Sequence, residues 1–465
     1  MKSKNAGLLS RRQFLVTMGA VTASSLLVAC APASPAAAPA AEAPAASSGA
    51  EAPAAERVTV RAHMVEKQDV SAWIQMGLDQ DIDGFKEKNP NIDLSLETIP
   101  GWTAEYIPKI LSFTAAGTLG DLVWYPPRHR SHIAWGESYD IVQDYRPYAD
   151  GAGYKLEDNF FQGAIDVNSS GGKAYWMSYI SEPIVPIIAY NKTKVAEMGL
   201  AEPSDDWTFD ELADWAKSGT TDDVFGYDPA DRAFAAFSGG PYYRQHGVEP
   251  VNEEGTQATF LDNEEGFVKA LKFTSDLVNT WKVSPSPSAG AVNAPEMFGG
   301  QKVLAVDIWP FRIQIYPATF TDFEIGFVLT PVVNKGDKRR SMLNEHVFGM
   351  TTSSKNPDAA FASMAWFCGY EMNVQALIQG QKGPIARADV WADERVYDSV
   401  PTYAKLRPIM EAIEPDYLVA NYRGEEFDLA FAQVFDAMQL GEKQPEEAAQ
   451  EIQALCQAVL DKEPA

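Results

Sequence analysis

Tryptophan and tyrosine stand out as the residues able to do chemistry here: the chain holds 11 Trp and 18 Tyr, and several close apolar runs. Sugar rings present flat C–H faces that pack on aromatic rings, while their hydroxyls need carboxylate, amide or guanidinium partners. Trp309 follows Ala305-Val306-Asp307-Ile308 and precedes Pro310, a strand-end position that favours a ring turned to a ligand. Trp207, Trp215, Trp281 and Trp366 sit in helical patterns and read as core. Glu182 and Asp307 are carboxylates of the kind that cleave glycosidic bonds in pairs, chemistry that requires no short motif. Tyr422 and Arg423 precede the helical run Phe427, Phe431 and Phe435. They belong either to a loop aimed at a ligand or to a surface loop with a salt-bridging arginine.

Other spacings invite chemistry and fail. Asp79-Gln80-Asp81-Ile82-Asp83-Gly84 matches the first half of a calcium loop, yet the position requiring a bidentate glutamate is Pro90. His129 and His132 are three apart but flanked by Arg128 and Arg130, with no third ligand nearby, so no metal is expected. Gly171-Gly172-Lys173 lacks phosphate-loop spacing, and no Gly-x-Ser-x-Gly or His-Glu-x-x-His occurs. No cofactor is expected. With five histidines in all, histidine-based catalysis has little to work with.

The first thirty residues carry a different chemistry. Ser10-Arg11-Arg12-Gln13-Phe14-Leu15 opens a 16-residue apolar run to Ala29, a secretory signal too short for a membrane span. The paired arginines resemble a twin-arginine export signal, and Leu27-Val28-Ala29-Cys30 resembles a lipoprotein box after which Cys30 becomes the lipidated N-terminus. The alternative is an ordinary signal with a chance cysteine. Anchoring at Cys30 puts the protein at the outer face of the cell membrane. Ala31 to Glu56 is almost wholly Ala and Pro, a tether spanning up to roughly 80 Å if polyproline-like.

Removing residues 1–29 takes away Lys2, Lys4, Arg11 and Arg12 and no acid, which carries the net charge from −26 to −30. Such a charge repels polyphosphate, and nucleic acid is excluded as a partner. The 436 residues left exceed what one core serves, so at least two lobes are expected. Cys368 and Cys456 lie in apolar helical patterns and read as buried free thiols.

The folded part opens with alternation at Val58-Thr59-Val60-Arg61, then Ile74, Leu78, Ile82 and Phe85 at helical spacing before Asn89-Pro90. Ile92, Leu94 and Leu96 alternate as a second strand, Tyr106 to Ala116 reads as a helix, and Asp121-Leu122-Val123-Trp124 as a third strand. This β-α-β-α-β order predicts a parallel sheet, with ligands beyond the strands' carboxyl ends. Glu66, Trp102, Trp124 and Tyr125 are thereby expected near one crevice.

Phe85-Lys-Glu-Lys-Asn-Pro-Asn-Ile, Ala115-Ala116-Gly117-Thr118 before Asp121, Gly172-Lys173-Ala174-Tyr175-Trp176 and Ala189-Tyr190-Asn191-Lys192 follow one another in a recognisable order. Asp206-Trp207-Thr208-Phe209, Met297-Phe298-Gly299-Gly300-Gln301, Ser354-Lys355-Asn356-Pro357 and Pro445-Glu446-Glu447-Ala448 continue it. From about residue 57 to the C-terminus the chain resembles extracellular solute-binding proteins of the maltose-binding type. One departure is Gly120, where that family often has proline.

The resemblance implies a two-lobed α/β clamp that holds a ligand between its lobes and delivers it to the membrane subunits of an ATP-binding-cassette importer, and a monomer. It puts chain crossings near Tyr179–Glu182, Thr321–Ile325 and Trp366–Glu371, a first lobe of 57–180 and 325–368, and a second of 181–324 and 369–465. Trp124, Tyr125 and Trp309 match aromatic positions of that family, Trp309 the one that stacks on saccharide. Glu182, at the first crossing, either accepts from sugar hydroxyls or is a solvated hinge residue. Two function classes stand: a receptor for a saccharide, expected to be an oligosaccharide, with a polyol, amino-sugar or phosphorylated polyol as alternatives, and a surface enzyme using two carboxylates such as Glu182 and Asp307.

Overall fold

The computed structural model describes residues 57–65, 82–100, 103–125, 132–183, 187–229, 240–286, 294–341, 343–379, 384–413 and 423–462. The opening alternation forms β1 (Val58–Val65), which buries Val60, Ala62 and Met64. A helix (Ile82–Lys88) runs up to Asn89-Pro90, while Ile74 and Leu78 lie outside the described residues. β2 (Ile92–Ile99) follows, then a helix (Thr103–Ala115) that turns Tyr106 and Ile110 inward, then the wholly buried β3 (Leu122–Tyr125). β1 lies between the other two, parallel to both. Parallel neighbours need crossovers, and the helical segments supply them.

A hairpin of β4 (Ser169–Ser170) and β5 (Lys173–Ala174) turns through Gly171 and Gly172, both at positive φ, which is what a two-residue hairpin turn demands. That is the structural role of the glycine pair. The chain continues through β6 (Trp176–Pro183), β7 (Ile187–Asn191), β8 (Ala305–Ile308), β9 (Ile325–Leu329) and β10 (Leu343–Met350). One sheet has the order β2-β1-β3-β10-β6, with β10 antiparallel to both neighbours. The other is β8-β7-β9, antiparallel throughout.

Register decides what meets what. In the first sheet Val65 opposes Ile99, Tyr125 opposes Val347 and Leu343 opposes Pro183, so the carboxyl ends of β1, β2, β3 and β6 share one edge with the start of β10. In the second, Ile187 opposes both Ile308 and Leu329, so the carboxyl ends of β8 and β9 share the edge where β7 starts. The chain passes between the sheets from Pro183 to Ile187 and again from Leu329 to Leu343. Both links therefore join one carboxyl edge to the other, and four Cα steps in the shorter link span at most about 15 Å. The end of β6 and the start of β7 are thereby kept within that distance of each other.

The lobe boundaries differ from those expected. β9 was expected in the first lobe from residue 325, but its backbone pairs with β7, so the return link comes later, at 330–342. Residues from 369 were expected in the second lobe. Instead Pro384–Ala388 is bonded into the first, through Ser181 N to Pro384 O, Phe161 N to Ala386 O and Ala388 N to Asn159 O. The tail helices Gly424–Gln439 and Pro445–Leu460 do pack beside the second-lobe helix Glu264–Asn279, in a cluster that includes Phe267, Phe431 and Cys456. Cys368 and Cys456 are buried thiols outside any disulfide, in separate clusters. No helix among the described residues is long and apolar enough to cross a membrane.

Gly120 has a local explanation. A Cβ there would meet Arg61 O at 2.6 Å, and its N–H donates to His63 Nε2 at 2.9 Å. Proline has no N–H to give.

Candidate functional site

The two linked carboxyl edges are the candidate site by the topology of such sheets, and the strand pair β6–β10 ends at the first of them. Ser178 and Ser181 are three apart and would face opposite sides of a regular strand. The register shifts between His346 and Val347, so Tyr179 is an extra residue on β6 and both serines come to the same face. There Glu345 accepts from Ser178 Oγ at 2.8 Å and from Ser181 Oγ, while Asn168 Nδ2 donates to Ser178 Oγ at 3.1 Å. His132 Nε2 lies 3.0 Å from two acceptors, Val167 O and Asn168 Oδ1, so that nitrogen carries the proton and is not a metal ligand. This buried network ties together β6, β10 and the helices at His132–Ser138 and Gln162–Val167.

On the second bank, Trp309 directly follows β8. It is 5% exposed yet belongs to none of the three apolar clusters among the described residues. Asp307, two residues earlier, is fully enclosed. Tyr227 Oη lies 2.6 Å from Oδ1, Tyr242 Oη 2.5 Å from Oδ2, and the two hydroxyls are 2.5 Å apart. Three oxygen-to-oxygen contacts in a ring need three protons. The tyrosines supply two, so the ring closes only when Asp307 is protonated. Burial pushes the Asp307 carboxyl up to about 7, which the tyrosine bonds oppose and Asp228 reinforces. Asp307 was expected to touch ligand or to act as half of a catalytic pair; with both oxygens taken inside the lobe it does neither.

The remaining expected residues divide. Trp124 is 0% exposed, edge-on to Tyr106 and tilted against His346, so its ring fills the first-lobe core and not the crevice. Tyr125, on the opposite face of β3, sits at the carboxyl edge but packs against Trp135 and Trp176. Glu182 is in β6 with its backbone opposite Asn344, at the edge itself. Arg423 caps a helix start and bonds Glu426 at 2.6 Å, as a salt-bridging loop arginine would. Glu66, Trp102, Tyr422, His129 and Cys30 lie outside the described residues, as do Asp79, Gln80 and Asp81 of the calcium-like run. Among the described residues no group of three His, Cys, Asp or Glu is placed to hold a metal.

Residues 66–372 match the family described as bacterial extracellular solute-binding protein. The chain belongs to that family. The solute-binding protein also shares its fold with solved structures, at low sequence identity. An ABC substrate-binding protein from Listeria monocytogenes, in complex with cycloalternan, is 18% identical with a TM-score of 0.69, covering 86% of this chain and 98% of that one. The sugar-binding protein MalE from Xanthomonas citri is 16% identical (TM-score 0.71, 87% and 97% covered). The cyclic alpha-maltosyl-1,6-maltose binding protein from Arthrobacter globiformis is 19% identical (TM-score 0.71, 87% and 99% covered). No curated protein matches the sequence. The two-lobed α/β architecture implied by the sequence resemblance is thus the fold of this solute-binding protein.

Sequence reasoning missed Glu345, Ser178, Ser181, Tyr227 and Tyr242. A signal for the first was present: Asn344-Glu345-His346 is a polar triplet inside the strand Leu343–Met350, every residue of which is buried. Nothing local in the sequence announces the extra residue at Tyr179.

Proposed function

We propose that this solute-binding protein is a receptor that captures a saccharide between its lobes, without changing it, and hands it to an ABC importer. The observation that carries this reading is the pair of links joining carboxyl edge to carboxyl edge. On this reading Trp309, directly after β8, and Tyr125 and Glu182, at the ends of β3 and β6, would contribute to the ligand face from the two lobes. Of the relatives of the same fold, one is in complex with cycloalternan and another is a cyclic alpha-maltosyl-1,6-maltose binding protein, and the ring faces of such sugars suit a tryptophan. Export through the paired-arginine leader, lipidation of Cys30 and the Ala/Pro tether keep the receptor beside its importer. A melting-temperature screen against mono- and oligosaccharides tests the reading, since a ligand at a hundredfold excess over Kd adds about 2.7 kcal/mol. A receptor returns the sugar intact; recovery of cleaved products would refute it. Cys30→Ser is expected to leave a folded protein that no longer fractionates with membranes, and retention there would remove the anchor from the proposal.

A further inference from the structure

Trp309-Pro310-Phe311-Arg312 carries the chain from the end of β8 into the helix Arg312–Thr319. Proline second of four favours a turn, and Arg312 N donates to Trp309 O at 2.9 Å while Ile313 N donates to Pro310 O at 3.1 Å. A turn of this kind keeps the Cα atoms of Trp309 and Arg312 within about 7 Å of each other. Arg312 therefore stands with Trp309 at the carboxyl edge of the second sheet.

Its half-buried side chain is a cation held without an anion. The guanidinium carbon lies 5.5 Å from the centre of the Phe311 ring and 5.9 Å from that of Tyr316. Ring faces attract a cation but offer its N–H groups no conventional acceptor. Nη1 is shut off from solvent and has no hydrogen-bond partner among the described residues, and no carboxylate among them pairs with the side chain. Acids are not scarce in this chain, which holds 64 of them against 38 lysines and arginines. Tyr316 is itself fixed, 3% exposed and stacked on Phe298 with ring centres 5.6 Å apart, so the guanidinium rests on a packed platform. An enclosed charged donor with nothing to accept its proton costs more than an ordinary hydrogen bond contributes. Such a group calls for an acceptor from outside the chain.

We infer that Arg312 contacts the captured sugar, donating through Nη1 to a hydroxyl oxygen of the ring that Trp309 stacks on. Tryptophan then reads the face of that ring and arginine one of its edges. A guanidinium only donates, and a sugar hydroxyl can accept from it while staying neutral. The chain's net charge of −26 disfavours the approach of an anionic solute, so neutral sugars are the expected class. The inference rests on the receptor reading.

Its test is calorimetric titration of the full-length protein with maltose, maltotriose, cellobiose and galactose, then with monodeoxy analogues of whichever sugar binds. Arg312→Met keeps an apolar stem between the two rings and removes the donor. It should weaken the bound sugar by about tenfold or more, while the melting temperature without sugar holds or rises because the unmet charge is gone. The native protein should discriminate against at least one monodeoxy analogue that the methionine variant binds as well as the parent sugar. Sugar affinity within twofold of native in Arg312→Met overturns the inference, whether Nη1 is served by a water or the side chain acts only in packing. Discrimination among the deoxy analogues that persists in the variant overturns it as well, since Arg312 would then act at a distance. Should the methionine variant fail to fold, Arg312→Lys decides: it keeps a cation over the rings but not the fork, and native affinity in the folded lysine variant overturns the inference. Each of these failures leaves the receptor standing. Silence from every sugar with the native protein refutes the receptor reading and the inference together.

Discussion

At the scale of single residues, the Tyr227–Asp307–Tyr242 ring ties stability to pH. The folded carboxyl is raised to about 7 from 3.8, so the unfolded chain loses this proton first as pH rises. The stabilising contribution is complete below about pH 4 and is lost between there and pH 7, by up to ~4 kcal/mol. Asp307→Asn keeps one acceptor and one donor in the ring. Urea unfolding across that range should show a flatter pH profile than the native chain, and parallel profiles would mean Asp307 is ionised in the fold. Trp309→Ala should cost roughly 1–3 kcal/mol in sugar affinity with secondary structure intact. Unchanged affinity with lowered stability would reassign the ring to the core. The sequence made Trp124 and Tyr125 look like one aromatic pair, but neighbours on a strand face opposite ways, so only Tyr125 reaches the edge side. Asp307 misled for a similar reason: a carboxylate at a strand end looks available until tyrosines distant in sequence close over it.

Elements were legible where burial alternates and obscure where it does not. β1 and β2 were readable because Val60, Ala62, Ile92 and Leu94 keep period two, and β3 as a short continuous apolar run. β10 was not, because Asn344, Glu345 and His346 are polar although wholly buried. The resemblance located the crossings only to within several residues, which is why β9 was put with the first lobe although it pairs with β7. The β6–β10 pair carries its own prediction. Glu345→Ala takes the acceptor from Ser178 and Ser181 in a buried site, and unfolding free energy should fall by about 1–3 kcal/mol. Ser178→Ala removes one donor and should cost less. Equal losses from both would mean that Glu345 contributes nothing beyond its bond to Ser178.

For the whole molecule, the proposed receptor action predicts closure: a ligand touching both lobes would stabilise a closed arrangement by its differential affinity for it. Scattering from the protein starting at residue 57, without the Ala/Pro segment, should show a smaller radius of gyration with saturating saccharide. An unchanged radius would remove closure from the mechanism. The strand order has one more effect, on the timing of assembly. β10 lies between β3 and β6, so the first sheet remains two pieces with unpaired facing edges until residues 343–350 have been synthesised. Contacts so distant along the chain form slowly, and open edges invite pairing with other chains meanwhile. A nascent chain that stalls before Leu343 is therefore expected to aggregate through the edges of β3 and β6, however complete its early strands are.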